Sequence, residues 1–250
     1  MLSWQAYVVN LASAHQRWAS MQARLDDAAI SYVRVDAIRG AALPVPFPRF
    51  DEARHRRMTG RRPIPAEIGC YLSHIKAIET FLQTDHTHGL FLEDDAVFAA
   101  DFPAVVDESL QHERCWDVLR LSTVNTDRVI QVLRLDSRSW LGVNLLRSKG
   151  AAAYMLNRRA ADTFVRRLVP MRLAYDLAFD LEYLWGLRAV AVTPYPVVAD
   201  PAAPTQIQID VPSYKYGASR YLTVFPYRAA IETSRLFCRL TLLGRLLAGR

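Results

Sequence analysis

Three adjacent carboxylates, Glu93-Asp94-Asp95, directly follow the apolar run Gly89-Leu90-Phe91-Leu92. A strand buried on both faces reads as such a run, and in open α/β sheets ligands bind beyond the strands' carboxyl ends. Acids at that point can hold a hard divalent cation through oxygen, and the cation can hold a diphosphate. The same acids also suit a solvated turn, with Asp95 capping a helix through residue 101. Spacing alone leaves both readings open.

The elements that must position these acids lie in residues 66–98. Ile68, Leu72, Ile75, Ile78 and Leu82 recur at spacings of three and four, the stripe of an amphipathic helix. Pro65 suits the helix start, Gly69 costs about 1 kcal/mol inside it, and the helix closes at residues 86–89. A buried strand then delivers the acids.

The block Glu67-Ile68-Gly69-Cys70-Tyr71-Leu72-Ser73-His74, followed by Leu92-Glu93-Asp94-Asp95-Ala96-Val97, resembles the signature of glycosyltransferase family 25. That family includes bacterial lipooligosaccharide galactosyltransferases and related collagen-modifying enzymes. The resemblance implies an α/β fold, a GT-A-type nucleotide-sugar-binding sheet flanked by helices. It implies Glu93, Asp94 and Asp95 as ligands of manganese or magnesium, and a UDP-sugar as donor. It further implies that Asn10, Leu11, Arg17, Ser73, His74 and Lys149 lie near the nucleotide. Where the family has a proline-valine-aspartate motif, this chain has Ala174-Tyr175-Asp176, so Asp176 is the match without its proline and valine. An inverting transferase needs a carboxylate to take the acceptor hydroxyl's proton. Asp176 is the candidate and Asp180 the reserve; Asp176 equally suits the cap of a helix over residues 177–185.

At 250 residues the chain can bury a full core. Residues 1–210 read as the transferase domain and 211–250 as an appended tail. No apolar run reaches the length of a membrane span, and the start lacks the pattern of a signal peptide. Three cysteines, far apart and without a CxxC, argue against a disulfide framework or zinc site and for a reducing cytoplasm. The net charge of +6 rests mainly on arginine, whose planar fork suits phosphate and carboxylate. Nucleic acid fits that charge equally well; the resemblance favours a nucleotide sugar and a glycolipid or oligosaccharide acceptor instead.

Along the chain, Ala6-Tyr7-Val8-Val9-Asn10-Leu11 reads as a first strand, Ser13 as the cap of a helix to residue 30, and residues 31–37 as a second strand parallel to the first. Arg39 stands where the family usually has an acid. Residues 41–65 carry five prolines and then a run of arginines, a long loop with one helical turn that serves as a lid or anionic-acceptor site, or as a solvated basic loop. A short helix is expected over 105–113, a strand over 116–123, an edge hairpin in 125–139, strands over 141–146 and 150–156, and a helix capped by Asn157. Residues 189–192 read as a last strand, and Thr205-Gln206-Ile207 stands weakly for the family's following motif. His15, His55, His86, His88 and His112 show no ligand spacing.

In the tail, Leu236, Phe237, Leu240, Leu243 and Leu247 fall on one helical face, with Arg228, Arg235, Arg239 and Arg250 opposite. A basic amphipathic helix of this kind can lie on an anionic inner-membrane surface or pack on the core. The combined expectation is a cytoplasmic, peripheral-membrane, inverting transferase moving galactose from UDP-galactose to lipooligosaccharide. A metal-dependent phosphohydrolase and an arginine-rich nucleic-acid or membrane-binding module are the alternatives.

Overall fold

A computed structural model describes residues 2–125, 128–201 and 211–249; Thr205-Gln206-Ile207 and Arg250 lie outside the described residues. The opening is the expected parallel βαβ unit. Strand β1 (Trp4–Asn10) and β2 (Tyr32–Asp36) pair in parallel around helix α1 (His15–Asp27). Alternation along β1 sends Tyr7 and Val9 into the core on one face of the sheet and Ala6 and Val8 into the core on the other. Ser13 does not cap α1, whose N-cap is Ala14 without a side-chain bond. The Ser13 hydroxyl instead accepts from Arg39 at 2.9 Å.

The proline- and arginine-rich segment holds more helix than expected. A 3₁₀ turn at Gly40–Ala42 precedes α2 (Glu52–Thr59), which Asp51 caps by accepting from the Arg54 amide at 3.0 Å. Helix α3 (Pro65–Leu82) begins at its proline as expected, and its length is mostly buried. It feeds β3 (His88–Glu93), which lies parallel to β1 with Val9 opposite Glu93.

Asp95 caps no helix: the next element is a short strand, β4 (Ala96–Phe98), and α4 (Phe102–Gln111) follows, admitting Pro103 in its first turn. Strands β5 (Val118–Arg120), β6 (Val129–Arg134) and β7 (Trp140–Asn144) come next; the edge hairpin pairs β6 with β7 and so is not contained in 125–139 as expected. Strand β8 (Ala153–Asn157) enters α5 (Arg158–Leu168) through the expected cap, Asn157 Oδ1 accepting from the Ala160 amide at 2.9 Å. The helix expected over 177–185 is broken into α6 (Tyr175–Phe179) and a 3₁₀ turn at Glu182–Trp185, because Asp180 between them turns into a buried ion cluster. Strands β9 (Ala189–Thr193) and β10 (Val197–Ala199) precede the long α7 (Tyr221–Ala248).

Eight strands form one mixed sheet in the order β2-β1-β3-β8-β5-β9-β7-β6, flanked by helices on both faces. Strand β8 runs antiparallel between β3 and β5, so its leading segment meets the carboxyl end of β3. Strands β4 and β10 pair separately. The structure decides which face of α7 turns inward, a choice the sequence leaves open. Arg235 and Arg239 are buried at 2% and 3% exposure, whereas Phe237 and Leu240 are 72% and 47% exposed. The reason is electrostatic: Asp180 and Glu182, both buried, draw those guanidinium groups inward.

Candidate active site

The carboxyl ends of β1 and β3 lie side by side and set Asn10 beside the three acids. Asp94 is held from two directions. Asn10 Nδ2 donates to its Oδ2 at 2.6 Å, and the Arg17 guanidinium, from α1, pairs with its Oδ1. Arg34 in turn donates to Asn10 Oδ1 at 2.7 Å, orienting the amide. Both oxygens of Asp94 are therefore committed within the protein.

Asp95 differs. Arg17 is 3.6 Å away, and Asp95 Oδ1 is buried without a hydrogen-bond partner among the described residues. Burial first, then the neighbouring Glu93 carboxylate, pushes its carboxyl up to about 6. An orphaned oxygen in a site crowded with negative charge fits a hard cation, and Glu93 and Asp95 are the residues able to hold one. The turn carrying them is braced from below: Arg24 pairs with Asp200 at 2.7 Å and donates to the Ala96 carbonyl at 3.1 Å, and the Asp200 amide donates to the Asp95 carbonyl at 2.8 Å.

Helix α3 closes one wall. Cys70 and His74, one turn apart, face Glu93, and their ligand atoms lie within 4.8 Å of one another. The absence of a CxxC had pointed away from such a grouping; the signal was the four-residue spacing on a helix aimed at the acids. His74 is fully buried, with Nδ1 3.1 Å from the Tyr154 hydroxyl and Nε2 3.3 Å from Glu93. In the tautomer with hydrogen on Nε2, the ring donates to Glu93 and accepts from Tyr154. The ring stacks on Tyr175 at 4.2 Å, and the Tyr154 and Tyr175 hydroxyls are 2.7 Å apart. Burial and then Glu93 and Asp176 push the Cys70 thiol well up, so it stays protonated. With both ring nitrogens engaged, His74 positions Glu93, and Cys70 completes a group of three possible metal ligands.

Asp176 lies on α6, which packs against α3 through Tyr175, Tyr71 and His74. Its carboxylate accepts from the Leu177 amide at 2.9 Å, although the N-cap of α6 is Ala174. Burial raises its pKa; the Gly150 amide, the Leu177 amide and the charge of Lys149 work in the other direction. Gly150 has φ +92°, a conformation glycine adopts at little cost. The structure thus brings Asn10, Arg17, His74, Glu93, Asp94, Asp95, Lys149 and Asp176 to one region beyond the carboxyl ends of β1 and β3.

Three further expected residues have partners within the protein. Asp180 is fully buried, with Arg120 and Arg239 each at 2.8 Å and Arg235 at 3.0 Å. Ser73 is fully buried too, its hydroxyl accepting from the Ile38 amide at 2.7 Å and donating to the Gly69 carbonyl at 2.6 Å. Leu11 contributes its backbone carbonyl to the turn into α1, accepting from the Ala14 amide at 2.8 Å. Glu67 and its partner Arg61, 2.6 Å apart, were not singled out as site residues; only their place beside Cys70 on α3 marks them.

The family described as glycosyltransferase family 25 (LPS biosynthesis protein) matches residues 4–179, a span that contains every residue of this region. No curated protein matches the chain. Among solved structures, A197 from STIV is similar at 14% identity over 83% of this chain and 98% of that one, with a TM-score of 0.45. TarS 1-349 from S. aureus in complex with UDP-GlcNAc is similar at 14% identity over 94% and 70%, with a TM-score of 0.43. A Drosophila β-1,4-galactosyltransferase 7 mutant, in complex with manganese, UDP-Gal and xylobiose, is similar at 8% identity over 86% and 82%, with a TM-score of 0.41. These likenesses are remote.

Proposed function

This chain belongs to glycosyltransferase family 25, and we propose that it moves galactose from UDP-galactose to a lipooligosaccharide or lipopolysaccharide acceptor with inversion. One observation carries the reading: the crowded acids at the end of β3, where Asp95 keeps an orphaned, buried oxygen and a raised pKa. The family's description supports the acceptor class, and the resemblance of residues 67–74 and 92–97 to lipooligosaccharide galactosyltransferases supports the sugar.

When bound by Glu93 and Asp95, a manganese or magnesium ion supplies positive charge to the departing diphosphate. Asp94, clamped by Asn10 and Arg17, fixes the loop on which those two ligands sit. His74, locked between Tyr154 and Tyr175, orients Glu93. Asp176 takes the proton of the acceptor hydroxyl as its oxygen bonds to the anomeric carbon. The bond from that carbon to the diphosphate oxygen breaks on the opposite side, UDP departs with the electron pair, and the proton remains on Asp176. Arg17 and Lys149 add cationic charge for the nucleotide's phosphates.

Residues 1–210 carry this chemistry, and 211–250 bring the enzyme to a membrane at the cytoplasmic face of the inner membrane. What supports contact with lipid is the apolar side of α7. Leu222, Phe225, Leu236, Phe237, Leu240 and Leu247 are exposed in a stripe at helical spacing, with Arg228 and Arg245 also exposed. Among the described residues no helix is long and apolar enough to cross a membrane.

Calorimetric titration of UDP-galactose and UDP-glucose, with and without manganese, tests the central claim. Manganese-dependent binding of UDP-galactose that disappears in Asp95→Ala is expected. Binding that ignores both manganese and this substitution would sink the metal assignment, and donor breakdown without acceptor would favour a phosphohydrolase.

A further inference from the structure

Residues of α2, α6 and the inner face of α7 line a pocket of about 260 Å³. Its floor is apolar, formed by Leu173, Leu177, Val224 and Ile231, with the Tyr227 ring on one wall. Its rim is cationic: Arg61, Lys215, Arg220 and Arg228. The one lining carboxylate, Glu232, is already engaged by Arg147 and Arg235. Lys215, Arg220 and Arg228 form no ion pair with a carboxylate among the described residues, so the pocket carries uncompensated positive charge.

Two links join this pocket to the catalytic region. Leu177 on its floor follows Asp176 directly, and the Leu177 amide donates to the Asp176 carboxylate at 2.9 Å. Arg61 on its rim reaches Glu67 at 2.6 Å, and Glu67 lies close enough to Asp176 to feel its charge. A molecule seated here packs against Leu177, the residue next to the proposed base. An apolar floor suits the C–H face of a sugar ring, and guanidinium forks suit a phosphate or carboxylate on that sugar.

We propose that the pocket between α2, α6 and α7 is the acceptor subsite and that it takes a saccharide bearing a phosphate or carboxylate group. This rests on the transferase reading for its role, while the binding itself can be tested separately. The C-terminal helix then has two jobs on two faces, with acceptor recognition on the inner one.

The test uses the full chain and three probes, glucose 6-phosphate, glucose and inorganic phosphate, titrated by calorimetry at low and moderate salt. Glucose 6-phosphate is expected to bind at least tenfold more tightly than either other probe and to weaken as salt rises. Arg228→Glu and Lys215→Glu, both at exposed positions, are each expected to weaken it tenfold or more, with the melting temperature and UDP-galactose affinity unchanged. Equal binding of glucose overturns the anionic requirement, and equal binding of inorganic phosphate overturns the saccharide. Unchanged affinity in both charge-reversed variants overturns the site. Loss of UDP-galactose binding in the unsubstituted chain would count against the transferase reading alone, because the sugar-phosphate titration needs no donor.

Discussion

At the scale of single residues, three adjacent acids do three different things. Asp94 is spent on Asn10 and Arg17, Glu93 is steered by His74, and Asp95 keeps an unpartnered oxygen. Asp176 is a half-buried carboxylate whose pKa is raised by desolvation. Asp176→Asn keeps the shape and removes the base, so kcat should fall by about 10²–10⁴ while the affinity for UDP-galactose holds. Equal loss of donor affinity would reassign Asp176 to nucleotide binding. Because the base works deprotonated and burial favours its protonated form, the acid limb of kcat/KM should lie above the ordinary aspartate value of about 3.9. A limb at or below that value would remove Asp176 from the role. The sequence marked these acids through their motif, but which acid keeps a spare oxygen depended on partners 77 and 84 residues away.

At the scale of elements, α3 walls the site with His74, and its glycine shows why propensity misleads. Replacing a helical glycine by alanine ordinarily stabilises by about 1 kcal/mol. At Gly69 an added Cβ would sit 2.4 Å from the Ile38 carbonyl oxygen and 2.5 Å from the Gly40 amide nitrogen, both backbone atoms. The clash outweighs the propensity gain, so Gly69→Ala should destabilise by about 1–3 kcal/mol, read from urea midpoints. A more stable variant would mean that the loop after β2 yields easily. The helical stripe and Pro65 made α3 visible in the sequence; the close approach of the 38–40 backbone was invisible because it depends on how β2 exits the sheet. Likewise β10, three residues long, has no periodicity to read and exists by pairing with β4.

At the scale of the whole molecule, α7 is bolted to the sheet by charge. Arg120, Arg235 and Arg239 surround Asp180, and Arg239 also reaches Glu182 at 2.8 Å, all in the interior. Burying five charges is costly, and removing Arg239 leaves Glu182, among the described residues, with Arg120 at 3.9 Å as its nearest cation. Arg239→Met should therefore destabilise by about 3–5 kcal/mol in urea unfolding, whereas Leu240→Gln, one residue on and exposed, should stay within about 0.5 kcal/mol. Similar effects for the two would mean that α7 docks by apolar contact instead. His55 adds a pH response. It is fully buried, and burial holds its imidazole down to about 4, against about 6.5 unfolded. The unfolded chain binds the extra proton between those values, so this contribution is intact above pH 6.5 and falls as pH drops to 4, by up to about 3 kcal/mol. His55→Phe should flatten the stability curve across that window; an unchanged slope would assign the acid sensitivity elsewhere.

The sequence by itself determined the elements whose cause is local. The opening βαβ unit, α3 from its proline, the Asn157 cap and the acids at the end of β3 follow from periodicity, caps and apolar runs within a few residues. So does the family, whose blocks are contiguous. The tertiary structure alone decided what depends on distant partners. The arginines of the tail and its leucines fall on opposite faces of one helix, and helical spacing cannot say which face turns inward. Asp180 and Glu182, about sixty residues upstream, settled it, because a buried carboxylate must find a cation and no nearer part of the chain supplies enough of them.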